Sequence, residues 1–337
     1  MATPTLEDVA RRANVSTATV SRALNTPDRV REETRLRVQE AVRELGYTPN
    51  FGGQALASRR TNTIGAVIPT MDNAIFAHAL QVLEEALARE GVTLLVATSQ
   101  YIREREEAQV RALMGRGVDG LVLIGAARDR AVYDLLQKRE VPYLLLWASA
   151  RDDGHVTIGF DNAKTAAGVI DRLSGRGHRR IVMIAGLTAG NDRAAERVRG
   201  ARDRCRALGL PPLEVVETEY TLDAGEREAA KILARPYRPT ALFCGNDVLA
   251  AGAIHGAKSL GLSVPSDVSI VGFDDIDLAR VTSPPLSTVR VPHRRMGRAA
   301  AQEILRWTRE GIRPSNIEFD AVWVERDSLG APPERLH

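Results

Sequence analysis

The chain has 337 residues, 44% of them hydrophobic and 26% charged, a balance typical of soluble globular proteins with two or three compact units. Its first residues lack the basic segment and apolar run of a secretory signal, and no apolar stretch is long enough to span a membrane, so we predict a cytoplasmic protein. The first 60 residues carry ten Arg, no Lys and seven acidic residues, which account for the whole net charge of +3; this excess suggests a polyanionic partner, although a solvated helical face has the same composition.

The pattern of residues 1–48 predicts three short helices. Thr5 is placed to cap the segment LEDVARRA, and Ser16 is placed to cap TATVSRAL. A loop follows at Pro27, and a third helix, about REETRLRVQEAVRELG, is expected to end at Gly46.

The second predicted helix begins with small polar side chains. A helix-turn-helix places the N-terminal end of its second helix in the major groove of DNA, and here Thr17, Ala18 and Ser21 point outward with Arg22 beside them. Hydroxyl groups contact phosphates or base edges, Ala contacts a thymine methyl, and Arg binds guanine bidentately. The alternative is a three-helix cap with a solvated face, which gives no reason for such residues to cluster at one helix start. We therefore predict a DNA-binding head.

A linker is predicted at residues 49–62. It contains Gly52 and Gly53, each of which costs a helix about 1 kcal/mol relative to Ala. We expect the segment to be disordered, or helical only when a partner holds it.

From residue 63 onward, apolar strand segments alternate with amphipathic helices. The strand candidates are IGAVIP, VTLLVAT, GLVLIG, PYLLLW, RIVMIAG, TALFCG and VSIVGFD. Continuous apolar strands joined by helices are typical of parallel sheets covered on both faces, and the series occurs about twice. We therefore predict an α/β protein with an all-α head and a core of two parallel-sheet lobes.

Residues that follow these strands are candidates for a ligand cleft, because ligands of parallel sheets bind at the carboxyl ends of the strands. After the first strand, Asp72 or Asn73 caps a helix whose first turn carries Phe76, and Trp147 follows the fourth strand. Phe76 is equally well explained as a core residue, and Trp147 as a lid over an empty groove. Four polar candidates follow other strands, and each is also a plausible helix cap: Asp161, Asn246, Asp247 and Asp274.

The segments LEDVARRANVSTATVSRALN and RVREETRLRVQEAVRELGYTPN closely resemble the lactose-repressor and purine-repressor family of bacterial transcription regulators. VDGLVLIG, RGHRRIVMIAG, RPTALFCGNDVLAAGA and GLSVPSDVSIVGFDD are similar to core segments of that family, in the same order. The resemblance covers nearly the whole chain. It implies a core like that of periplasmic binding proteins, with one lobe at residues 63–161 and 291–320 and the other at 162–290 and 321–330.

The resemblance implies a homodimer whose two heads bind a roughly palindromic operator in double-stranded DNA, under the control of a small molecule held between the lobes. It assigns Leu56, in QALA, to a hinge-helix wedge in the minor groove, with packing on the dimer mate as the alternative. It assigns Arg197, in an R-x-x-G segment, to a ligand carboxylate or hydroxyl pair, with a surface salt bridge as the alternative. The expected DNA-contacting residues are Thr5, Ser16, Thr17, Ala18, Thr19, Ser21, Arg22, Asn25, Arg29 and Leu56.

The expected effector is a sugar or sugar acid, because GHVTIGFDN resembles the sugar-acid branch of the family. A purine is less favoured, since Ile75 stands beside Phe76 where purine sensors stack two aromatic rings. An inducer and a co-repressor are both compatible with the sequence. The tail DSLGAPPERLH has no heptads, so we expect a dimer, formed through the helices at 74–90 and 246–261.

Two other classes of function are compatible with a two-lobed core. A solute-binding protein for transport has such a core, but the helical head and the lack of a signal argue against it. An enzyme is compatible with parallel sheets, but the sequence has no Walker loop, G-x-S-x-G elbow, G-x-G-x-x-G turn or paired carboxylates. Cys205 and Cys244 lie in unrelated segments, which favours free thiols over a disulfide. We predict no enzymatic activity, cofactor, metal or membrane partner.

Overall fold

The computed structural model of the chain describes residues 4–48, 60–149 and 154–334. They belong to two compact units, Met1–Thr61 and Asn62–His337. Residues 4–48 of the first unit form helices, and parallel β-sheets form the basis of the second. Within the described residues, no helix has both the length and the apolar character needed to cross a membrane.

The first unit contains the three predicted helices, α1 (Leu6–Ala13), α2 (Thr17–Asn25) and α3 (Glu32–Leu45), with a 3-10 turn at Pro27–Arg29. Their apolar faces form one core, in which Val9, Val20, Ala23, Val38 and Ala41 are buried. Gly46 ends α3 with a φ of 62°, a left-handed conformation that Gly adopts without strain. The predicted positions of the caps and of the last helix end are confirmed.

The first sheet of the second unit consists of six parallel strands. They are β1 (Thr63–Ile68), β2 (Thr93–Thr98), β3 (Gly120–Ile124), β4 (Tyr143–Leu146), β5 (Thr157–Gly159) and, from near the C-terminus, β11 (Ile317–Glu318). Their order in the sheet is β11-β5-β4-β3-β1-β2. Four helices belong to this region: α4 (Ala74–Arg89), α5 (Arg103–Gly115), α6 (Arg130–Lys138) and α12 (His293–Glu310), which packs against α4.

The second sheet has four parallel strands, β6 (Ile181–Gly186), β7 (Glu214–Thr218), β8 (Ala241–Cys244) and β9 (Ser269–Val271), in the order β7-β6-β8-β9. The helices around it are α7 (Asn162–Gly175), α8 (Asp192–Ala207), α9 (Leu222–Leu233), α10 (Asp247–Ser259) and the short α11 (Leu278–Val281). A separate antiparallel pair is formed by β10 (Thr288–Arg290) and β12 (Val322–Val324).

All seven predicted strand segments contain a strand, and the predicted α/β fold with parallel sheets is confirmed. The predicted strand segments did not include β5, β7, β10, β11 or β12. β7 lies at the edge of its sheet, where Glu214 is exposed and Thr218 is buried. An edge strand of this kind lacks the continuous apolar run that marks a central strand. Cys205 and Cys244 are both buried and free, as expected.

Candidate DNA-binding surface and effector cleft

Two side-chain caps fix where α1 and α2 begin. The Thr5 hydroxyl accepts the Asp8 N–H at 3.3 Å, while the Asp8 carboxylate accepts the Thr5 N–H at 2.9 Å, which completes a capping box. These bonds lower the pKa of the Asp8 carboxyl. The Ser16 hydroxyl accepts the Thr19 N–H at 3.1 Å, so α2 has a defined first turn.

The first turns of α2 present a surface of short polar side chains. Thr17, Ala18 and Arg22 are exposed, and Thr19 and Ser21 are partly exposed. Because short side chains let the helix backbone approach the edges of bases, this is the form that a recognition helix needs.

The other predicted DNA contacts are placed differently. Thr5, Ser16 and Arg29 are exposed, but the hydroxyls of Thr5 and Ser16 are engaged in the caps. Asn25 is the last residue of α2. The predicted wedge Leu56 and the Gly-containing linker lie outside the described residues.

The arginines of the head fall into two groups. One group pairs with acidic side chains on α1 and α3: Arg11 with Asp8, Arg12 with Glu44, Arg35 with Glu32, and Arg43 with Glu40. The other group is exposed and forms no ion pair within residues 4–48: Arg22, Arg29, Arg31 and Arg37. An unpaired guanidinium keeps its charge for a phosphate, so the basic excess of the head is concentrated in the second group.

Side chains that follow the ends of seven strands meet in one small cavity of the second unit. The strands are β1, β2, β4, β6, β7, β8 and β9, and they come from both parallel sheets, as expected for a cleft between two lobes. The cavity has a volume of about 20 Å³, which is room for roughly one water molecule. Its lining residues are Asn73, Ile75, Phe76, Tyr101, Trp147, Asn191, Arg193, Arg197, Tyr220, Asn246 and Asp274.

Two predicted aromatic residues form one wall of this cleft. The rings of Phe76 and Trp147 meet edge to face with centroids 5.2 Å apart, a favourable geometry for an aromatic pair. Both are almost fully buried, and the Trp147 carbonyl accepts a hydrogen bond from Asn162 at 3.1 Å. The Trp147 indole Nε1 is buried and has no hydrogen-bond partner among the described residues. Trp147 is thus part of the wall rather than an exposed lid.

Arg197 lies in the cleft and is held by the protein on three sides. Its Nε donates to Asn162 Oδ1 at 2.9 Å, and its Nη1 donates to the Gly245 carbonyl at 2.7 Å. The guanidinium also stacks on Phe273, with Cζ 4.0 Å from the ring centroid. With an exposed fraction of 4%, Arg197 does not form the surface salt bridge that was the alternative.

Asp274 is the acidic group of the cleft. It is 2% exposed, and its Oδ1 has no hydrogen-bond partner among the described residues. Burial raises the pKa of this carboxyl to about 7, against an opposing effect of the Arg197 charge. Asp274 also has a φ of 115°, a strained conformation for a residue with a side chain. Such a group is poised to accept a hydrogen bond from a ligand hydroxyl.

Three other predicted ligand residues do not line the cleft. Asp161 caps α7 by accepting the Lys164 N–H at 2.8 Å and lies in a different surface pocket. Asp247 is fully buried, where it accepts hydrogen bonds from Thr288 Oγ1 and from the Ile276 N–H. Asp72 is exposed and interacts with Thr70. Asn73 and Asn246 cap α4 and α10 and do line the cleft.

Five lining residues were not among the predicted ligand residues: Ile75, Tyr101, Asn191, Arg193 and Tyr220. The rings of Tyr101 and Tyr220 lie 6.4 Å apart, and burial raises the pKa of both phenols. Tyr101 follows the end of β2 and Tyr220 follows the end of β7, and both strands lie at the edge of a sheet. The rule that selects residues after strand ends would have included them had it been applied to every strand.

Two family profiles match the chain: residues 5–50 match bacterial regulatory proteins of the lacI family, and residues 170–329 match a periplasmic binding protein-like domain. The HTH-type transcriptional repressor PurR of Klebsiella pneumoniae strain 342 is 33% identical over 335 residues, with 98% of each chain covered.

Two solved structures have the same architecture. The lac repressor dimer bound to operator and the anti-inducer ONPF has a TM-score of 0.85 and 27% identity, covering 98% of this chain and 100% of that one. The transcriptional regulator CelR in complex with cellobiose has a TM-score of 0.70 and 30% identity, covering 96% and 99%. Since PurR is more than 30% identical over nearly the full length, the chain belongs to the lacI family of DNA-binding transcription regulators.

Proposed function

We propose that this chain is a repressor that binds a roughly palindromic operator as a homodimer and releases or tightens its hold when a small effector enters the cleft. The observation that carries the proposal is the start of α2, where Thr17, Ala18 and Arg22 are exposed on a helix whose first residue is fixed by the Ser16 cap. Arg22 is the group best suited to bidentate contact with guanine. The lac repressor structure, which holds an operator and a small molecule together, supports the pairing of these two sites.

The effector we propose is a sugar or sugar acid. The lining offers amide, guanidinium, phenol and carboxyl groups beside the aromatic wall of Phe76 and Trp147, a combination that suits a ring with many hydroxyls. Ile75 occupies the position next to Phe76, so that side offers no second ring for a purine. The cellobiose complex of CelR is a related case in which a sugar is bound.

The proposal includes the division of the core and the mode of assembly. One lobe comprises residues 63–161 and 291–320, the other 162–290 and 321–330, and the dimer forms through α4 and α10. An exposed apolar side chain near α10 supports this mode of assembly, since Leu222 is exposed on α9, the helix that packs against α10. Because its partner is operator DNA, we place the protein in the cytoplasm, acting by binding and not by turnover.

The test is a selection of random DNA duplexes by the purified protein, repeated with a panel of sugars and sugar acids. We expect one palindromic sequence to be enriched and at least one compound to change its affinity. Arg22→Ala should then bind that sequence about 5- to 150-fold more weakly, the equivalent of losing one base contact. Arg202→Ala, in an exposed position on α8, serves as the matched control. Failure to enrich any sequence, with or without the compounds, would overturn the proposal.

A further inference from the structure

The cleft carries more positive than negative charge. The amino ends of α4, α8 and α10 all reach it, since their capping residues Asn73, Asn191 and Asn246 are among its lining. Each helix end adds a partial positive charge of about half an elementary unit. The lining also contains two guanidinium groups and a single carboxyl, while the carboxylate of Asp192, just outside the lining, pairs with one of the guanidinium groups, that of Arg193. Helix amino ends and guanidinium groups gathered around one small cavity favour a ligand with an anionic group.

The two guanidinium groups differ in how far the protein already uses them. Arg197 donates to two protein oxygens and stacks on an aromatic ring. Arg193 is 6% exposed, and among the described residues it makes one hydrogen bond, from Nη1 to the carboxylate of the adjacent Asp192 at 3.0 Å. Since a guanidinium has five N–H donors, Arg193 has the larger unused capacity.

Arg193 also stands where the two lobes of the cleft meet. Asp192, at the start of α8, accepts the Ala126 N–H at 2.6 Å from the loop after β3. A Cβ added to Gly125 in that loop would lie 2.0 Å from Arg193 Nη1, so the guanidinium rests on the bare backbone of the opposite lobe. Because the cavity is so small, a ligand has to displace the side chains that close it, and Arg193 is one of them.

Two buried polar atoms in the cleft show what the rest of the ligand offers. Trp147 Nε1 is a donor and Asp274 Oδ1 an acceptor, in side chains that are 1% and 2% exposed, and both atoms lack a partner among the described residues. A buried polar group without a partner is costly. Hydroxyl groups both accept and donate, so a polyhydroxy compound satisfies both atoms.

We propose that the effector is a polyhydroxy compound with one anionic group, either a carboxylate or a phosphate ester, and that Arg193 selects it by binding that group. The anion takes the place of the Asp192 carboxylate on Arg193, while the hydroxyls face Trp147 and Asp274. This inference rests on the proposed function, because it assigns the ligand class of the same cleft.

The test compares matched compounds by thermal shift on the full-length protein. The probes are D-glucose, D-gluconate and D-glucose 6-phosphate, with the corresponding neutral, acid and phosphate forms of galactose, mannose and fructose. At least one acid or phosphate should raise the Tm by about 3 °C or more, and its neutral parent by much less. The acid and phosphate arms distinguish the two sources of the anionic group.

Three variants test the role of Arg193, and the Tm of each variant without a probe shows whether it folds. Arg193→Gln should weaken binding of the active anion by at least about tenfold, since it removes one member of a buried charge pair. Arg193→Lys should restore part of that affinity, because it returns the charge without the planar fork. Arg202→Gln, exposed on the same helix, should bind like the wild type.

Three results would overturn the inference: a neutral sugar that shifts the Tm as much as its acid, an anion whose affinity survives Arg193→Gln, or a panel in which no anion acts. A neutral sugar that alters operator affinity would leave the proposed function standing while refuting the choice of an anion. Failure of the protein to select any operator would instead refute the proposed function.

Discussion

Replacing Gly200 with Ala perturbs a close backbone contact between α8 and α7. An added Cβ would lie 2.1 Å from the Ala163 carbonyl oxygen and 2.6 Å from its carbonyl carbon, whereas non-bonded heavy atoms prefer a separation of about 3.5 Å. Both are backbone atoms, so one helix has to move away from the other by about 1 Å. Overpacking of this kind costs about 1–3 kcal/mol, and a gain of up to about 1 kcal/mol in helix propensity opposes it. We expect a net loss of unfolding free energy.

Gly168 on α7 provides the matched control. Nothing lies within 4 Å of a Cβ added there, so Gly168→Ala should raise the free energy of unfolding by about 0.5–1 kcal/mol through propensity alone. Urea unfolding followed by circular dichroism measures both variants. The bond from Arg197 to Asn162 joins the same two helices, so Gly200→Ala should also weaken effector binding. Equal stability of the two variants would refute the idea that the helices need a glycine at their contact.

Three further predictions concern the head and the cleft. Ser16→Ala removes the cap of α2 and should lower the unfolding free energy of the head by about 1 kcal/mol, while Thr17→Ala should lose operator affinity without losing stability. Thermal unfolding and operator titration measure the two effects separately, and an equal loss of Tm in both variants would contradict the assignment of the cap to Ser16. Folding raises the pKa of the Asp274 carboxyl to about 7, so the wild type loses unfolding free energy as the pH rises from about 4 to 7. Asp274→Asn removes this carboxyl, and its unfolding free energy, measured by urea titration, should depend less on pH across this range. The same pH dependence in both proteins would argue against a buried carboxyl. Arg197→Ala leaves two buried acceptors without a donor and should lower the free energy of unfolding by about 2–5 kcal/mol. Arg202→Ala, at an exposed position, should lower it by less than about 0.5 kcal/mol. Equal denaturation midpoints of the two variants would show that Arg197 does not stabilise the fold.

Local chemistry made much of the fold predictable from the sequence. Helix caps depend on neighbouring residues alone, so Thr5 and Ser16 fixed two helix starts without any tertiary information. The central strands are buried on both faces and appear as continuous apolar runs. Phe76, Trp147 and Asp274 followed from the rule that parallel strands gather their carboxyl ends.

Side-chain direction after a strand was not predictable in the same way. Asn246 and Asp247 are adjacent, yet Asn246 lines the cleft and Asp247 turns inward to Thr288 and Ile276. Which of two neighbours faces a cavity depends on the first turn of the following helix, since successive helical residues differ by about 100° in direction. Arg193 was passed over for a related reason, because an arginine-rich helix gives no sign in sequence of which arginine is buried.

The pairing of individual charges explains the roles of the arginines better than the net charge does. In the head, four arginines of α1 and α3 pair with acidic side chains of those two helices, whereas four others carry charge that no acidic side chain within residues 4–48 offsets: Arg22, Arg29, Arg31 and Arg37. In the core, where acidic and basic residues balance, Arg197 is buried and bonded on several sides. The same residue type therefore performs two tasks. An exposed, unpaired arginine is available to a polyanion at any position along the groove. A buried, hydrogen-bonded arginine fixes the geometry into which one small molecule has to fit.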